Sequence, residues 1–179
     1  MKIVRFSQNG HAARLGCFLG QDRIADLEAT ATAYLAARSV VRAATIAAAL
    51  FPADSTRGFL EGGSASQDML TAMMESARAG KFQPVAHPVG AVRLHAPIAD
   101  PGKFICIGLN YKDHAAETNN PPPKEPPVFP KWANAIQDPG EPILRPRGEK
   151  TLDWEVELGV VIGRTARFVK REQALDYVY

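Results

Sequence analysis

Three carboxylates, Asp153, Glu155 and Glu157, alternate with apolar residues in LDWEVELGVVIG, Leu152 to Gly163. A strand points successive side chains to opposite faces, so the acids would share one face and Leu152, Trp154, Val156 and Leu158 the other. Like charges that close repel, and half-buried they also lose hydration, so such a row needs open water or a cation. Two carboxylates side by side suit Mg²⁺, Mn²⁺ or Ca²⁺, which take oxygen ligands, rather than zinc, which recruits His or Cys. An exposed acidic face is the alternative. The GVVIG that follows is apolar on both faces and argues for a strand entering a covered sheet, which favours the cation.

A second group with chemical potential lies in KFICIGLNYKDHAAET, Lys103 to Thr118. The pattern predicts a strand, a turn at Asn110 and Tyr111, and a short helix that sets His114 and Glu117 three apart on one face. A carboxylate beside a histidine orients the ring and stabilises its protonated form, which makes a general base. HxxE spacing is also that of an ordinary solvated helix pair, and spacing alone leaves both readings open. Between the two groups runs NNPPPKEPPVFP, Asn119 to Pro130. Its prolines exclude helix and central strand. The PxxP spacing permits a polyproline II ligand, against the simpler reading of a stiff connector.

The elements that must position these residues divide into two textures. Residues 2–6 and 14–19 have strand character around an Asn9-Gly10 turn and predict a hairpin, with a third strand over Asp22 to Leu27. A helix is predicted from about Thr30 to Leu50, stopped before Pro52, and another from about Ser66 to Ala79 with Ser66 as N-cap. Phe82 to Gly90, with Pro84 and Pro88, reads as a linker. Beyond it the chain reads as mostly β, with strands over Val92–His95, Lys103–Leu109 and Trp154–Ile162. The fold class is therefore α+β, with a small N-terminal domain over 1–90 and a β-rich domain over 91–179.

Composition bounds the partners. The 179 residues are 46% hydrophobic and 22% charged, with a net charge of +2 and basic residues scattered rather than blocked. That is an ordinary soluble composition with no footprint for nucleic acid. The most apolar stretch, Ala29 to Phe51, is interrupted by Arg38 and Arg42 and suits an amphipathic helix rather than a membrane span. Cys17 and Cys106 sit far apart in apolar contexts, which reads as buried thiols in a reducing compartment, and the expected location is cytoplasmic.

Taken in order, KFICIGLNYKDHAAET, the proline-rich loop ending PPVFPKW, LDWEVELGVVIGRTAR and EQALDYV resemble the fumarylacetoacetate hydrolase family. The resemblance covers roughly Val92 to Tyr179, and MKIVRF with RLGCFL is similar to the family's small N-terminal domain. It implies a β-rich roll whose site holds Mg²⁺ or Mn²⁺, in some members Ca²⁺, with Glu155 and Glu157 as metal ligands. It further implies that His114 and Glu117 are the catalytic pair and that Lys131 holds substrate, although Pro130 stands where the family has an aliphatic residue. Asp113 matches an additional ligand of the animal fumarylacetoacetases. The implied activity is metal-dependent hydrolysis of a carbon–carbon bond in acylpyruvate-like or diketo acids. Isomerisation or decarboxylation, built on the same enolate stabilisation, is the alternative, and an inactive interaction fragment is a third reading. In the family the third metal ligand is an aspartate beyond the position of Tyr179, so this chain is expected to be a fragment with little turnover. The full-length form is expected to be a homodimer.

Overall fold

A computed structural model describes residues 1–119, 121 and 123–179; Asn120 and Pro122, within the proline-rich loop, lie outside the described residues. The chain divides into two compact units, Met1–Glu141 and Pro142–Tyr179.

The first unit is α+β. Strands β1 (Ile3–Ser7), β2 (Arg14–Leu19) and β3 (Arg23–Asp26) form an antiparallel meander. Asn9 at φ 52° and Gly10 at φ 76° make the predicted turn between β1 and β2, a backbone state that these two residue types adopt readily. The segment read as a linker supplies β4 (Ala86–Pro88), which pairs with β3. Pro88 is tolerated because β4 is an edge strand. Strand β5 (Arg93–His95) pairs with β1, not with strands of the second half, so the sheet order is β4-β3-β2-β1-β5.

Helices pack on one face of this sheet. Asp26 ends β3 and caps α1 (Leu27–Ala36), its carboxylate accepting the Ala29 amide at 3.0 Å while also pairing with Arg14 at 2.6 Å. The single helix expected from Thr30 to Leu50 is two: α1 stops at Ala36, and α2 spans Ala43–Leu50. Ser39 and Arg42 adopt left-handed φ values of 57° and 59°, which no continuous helix accommodates, and the β-branched pair Val40-Val41 favours the break. Helices α3 (Thr56–Glu61) and α4 (Gly63–Arg78) follow. Ser66 is not an N-cap. It lies inside α4, fully buried, under Gly62, where any added Cβ would come within 2.2 Å of the Ser66 hydroxyl.

The core joins Leu15, Cys17 and Ala25 of the sheet to Leu27 and Ala31 of α1, Ala47 of α2, Phe59 of α3 and Leu70, Met73 and Met74 of α4. Phe51 and Phe59 stack with ring centroids 5.8 Å apart. Burial lifts the Cys17 thiol above its usual range. Cys106, read as buried, is only half-buried, and both thiols are free.

The rest of the first unit carries β6 (Phe104–Ile107), α5 (Lys112–Glu117) and β7 (Val128–Lys131), with β6 and β7 forming a two-stranded antiparallel sheet. In the second unit the strand expected over Trp154–Ile162 does not form; apart from a bridge between Ile162 and Val178, this stretch has no regular structure. Alternation gives a strand its two faces, but a strand exists only where a neighbour takes its amides and carbonyls. No ladder runs along this stretch: it pairs at its end, through the Ile162–Val178 bridge and the Tyr179 amide on the Val161 carbonyl, and Trp154 and Val156 are 86% and 92% exposed. The covered strand over Trp154–Ile162 is thus corrected.

Candidate functional site

Helix α5 carries His114 and Glu117 at the expected spacing. The chain enters it from β6 through a turn in which Leu109 takes φ 51° and the Gly108 amide donates to the Pro127 carbonyl at 2.8 Å. One residue, Ala115, is buried and seats the helix. His114, Glu117 and Asp113 face solvent, and no hydrogen bond or ion pair among the described residues joins His114 to Glu117. The helix therefore presents both side chains without locking the ring.

Lys131 ends β7 directly opposite Phe104, in the register Phe104↔Lys131 and Ile105↔Pro130. Pro130 fits because β7 has a neighbour on one side only. An open groove of about 470 Å³ lies at this end of the hairpin, bounded by Lys103, Phe104, Lys131 and Trp132 among others. Lys103 was not singled out by spacing. Its placement follows from the strand register, which sets residue 103 just beyond the Phe104–Lys131 pair. Among the described residues two lysines and no carboxylate line the groove, which suits it to an anion of small-molecule size.

In the second unit Glu155 and Glu157 are exposed, and Asp153 accepts the amide of its neighbour Trp154 at 2.9 Å. Close by in sequence the chain turns back on itself: the Gly163 amide donates to Tyr177 at 2.8 Å, Tyr179 donates to Val161 at 2.9 Å, and Arg164 lies over the Tyr177 ring at 4.4 Å. Two carboxylate side chains match the oxygen preference of a hard cation in type. In number they fall short, since among the described residues no three His, Cys, Asp or Glu side chains converge to hold a metal ion.

Residues 103–179, which carry all five of these positions, match the family model described as fumarylacetoacetate (FAA) hydrolase, C-terminal. That segment is similar to the fumarylacetoacetate hydrolase family. Among similar proteins, a Burkholderia lata protein named as a hydrolase is 51% identical over 104 residues, which is 57% of this chain and 37% of that protein. A Burkholderia ambifaria protein, also named as a hydrolase, is 55% identical over 89 residues, 50% of this chain and 32% of its own. The chain thus spans about a third of the length of these curated relatives. The crystal structure of a protein named HpcE from Mycobacterium smegmatis superposes with a TM-score of 0.56 at 24% identity, over 97% of this chain and 51% of that one. That likeness is one of fold.

Proposed function

We propose that this chain belongs to the fumarylacetoacetate hydrolase family and carries part of the active site of a hydrolase that cleaves a carbon–carbon bond in acylpyruvate-like or other 2-oxo and diketo acids. The observation that carries the reading is the family match over residues 103–179, which holds His114, Glu117, Lys131, Glu155 and Glu157 in one continuous segment.

In this reading Glu155 and Glu157 are two of the ligands to a hard divalent cation, Mg²⁺ or Mn²⁺ with Ca²⁺ as a third choice. When bound, such a cation supplies stabilisation for the negative charge that develops on the 2-oxo end as the bond breaks. His114 takes the proton of the attacking water at its free ring nitrogen, and Glu117, one turn along α5, orients the ring and offsets its charge. Because the two side chains stand exposed and, among the described residues, are not bonded to each other, their hydrogen bond forms when substrate excludes water from the helix face. Lys131, with Lys103 beside it, holds the substrate carboxylate in the groove at the end of β6 and β7. The full-length form is read as a homodimer.

Calorimetric titration of Mg²⁺ or Mn²⁺ against the chain, and against Glu155→Ala/Glu157→Ala, tests the metal assignment. We expect weak binding that the double substitution abolishes; equal binding by both chains would refute it. Assay of a panel of acylpyruvates, 2-oxo acids and hydroxydienoates, with product identification, distinguishes hydrolysis from isomerisation and decarboxylation.

A further inference from the structure

Three residues from distant parts of the first unit form one hydrogen-bonded chain. The His95 ring stands between Ser7 and Asp138, its Nε2 at 2.8 Å from the Ser7 hydroxyl and its Nδ1 at 2.7 Å from one Asp138 oxygen. The other Asp138 oxygen accepts the Ala96 amide at 2.9 Å. Arg93, two residues before His95 on β5, reaches the same carboxylate at 3.7 Å and Glu141 at 2.6 Å. On the sheet side Arg5 donates to the Ala96 carbonyl at 3.0 Å and pairs with Asp54.

The order serine–histidine–aspartate is that of a nucleophile array, but Ser7 is 8% exposed and lies within the β1–β5 ladder. A carbonyl substrate has no approach to a hydroxyl so enclosed, and the chain of bonds acts mechanically. What it fastens is informative. Residues 138 and 141 close the segment that leaves β7 through Lys131, Trp132 and the short 3₁₀ turn at Ala133–Ala135. That turn has two backbone bonds of its own, Ala135 to Trp132 at 2.9 Å and Ile136 to Ala133 at 3.1 Å, and is otherwise exposed.

We propose that Ser7, His95 and Asp138 form a clamp that fixes the segment following Lys131 to the edge strand β5, making His95 and Asp138 positioning residues for Lys131 and its groove. The clamp rests on the assignment of Lys131 above only for its functional consequence. Its mechanical part stands on the contacts alone. Paired, half-buried hydrogen bonds to a charged group resist opening more strongly than neutral ones. Loss of either partner strands the other.

The test is hydrogen exchange on the full chain, together with anisotropy decay of Trp132 in a Trp154→Phe background, where it is the sole tryptophan. His95→Phe and Asp138→Ala are expected to raise amide exchange at Ala96, Ala135 and Ile136 by about tenfold, and to add fast local motion at Trp132. His95→Asn, which keeps a donor at the Nδ1 position, is expected to restore order at residues 133–141. Unchanged protection at Cys17 and Ile24 in every variant shows that the sheet remains folded. If Ala96 loses protection while Ala135, Ile136 and Trp132 do not, the segment is held by something else and the proposal is overturned. Lys131→Ala reads the substrate assignment separately, because it removes 2-oxo acid binding without affecting exchange at Ala96.

Discussion

Asp138 has two hydrogen-bond partners, the Ala96 amide and the His95 ring, and the Arg93 charge close by, and this concentration has a pH signature. The Ala96 amide first, then the His95 ring, hold its carboxyl below the usual carboxylate range, with Arg93 adding to the effect. A folded-state value lowered in this way contributes stability that is fully present above the unfolded value and is lost as pH falls through the folded one. The wild-type chain is therefore expected to lose urea resistance in that acid window more steeply than Asp138→Ala, the two curves converging once the carboxyl is protonated. Among apolar residues, Phe59 is fully enclosed and stacked on Phe51. Phe59→Ala is expected to cost about 3–5 kcal/mol, read as a shift in the urea midpoint. Single residues were legible in the sequence where one local pattern determines them, as with the positive-φ pair Asn9-Gly10. Ser7, His95 and Asp138 were not legible, because they stand 88 and 43 positions apart, and no spacing rule connects residues that only the folded sheet brings together.

Among the elements, the junction of α3 and α4 is closely packed. Gly62 leaves room for the Ser66 hydroxyl, which is buried and, among the described residues, has no hydrogen-bond partner. Gly62→Ala is expected to destabilise by about 1–3 kcal/mol through overpacking. Ser66→Ala removes an unsatisfied buried group and is expected to be neutral or stabilising by up to about 1–2 kcal/mol. Thermal melts of the two single variants and the double variant check this; the double variant should recover much of the Gly62→Ala loss, and strict additivity would contradict the steric account. The strands β1, β2, β3, β5 and β6 and helix α4 were readable because each carries its own period or turn signal. The break between α1 and α2 was masked by alanines that suit helix throughout. The misread strand over Trp154–Ile162 has the opposite cause: its alternation is sound, but pairing is a property of two segments, and a sequence displays one at a time.

For the molecule as a whole, the two units differ in what they bury. In the first, the helices cover one face of the five-stranded sheet. In the second, Ile143, Leu144, Trp154, Val156, Leu158, Phe168 and Leu175 are all more than 70% exposed. Apolar surface of that extent drives association. Sedimentation velocity is expected to show a weight-average coefficient that rises with concentration, and charged substitutions at Val156 and Leu158 are expected to flatten that rise. Strand β5 has a consequence of another kind. Residues 93–95 occupy the open flank of β1, so the three-residue ribbon works as a stopper on a sheet whose opposite flank is already blunted by the short, proline-ended β4. A polypeptide cut after Gly90 would lose the stopper and keep the socket. Two such pieces could satisfy each other only by laying β1 edge against β1 edge, so the smallest unit able to remain single must run past His95, and recombination between relatives would be safest downstream of that point.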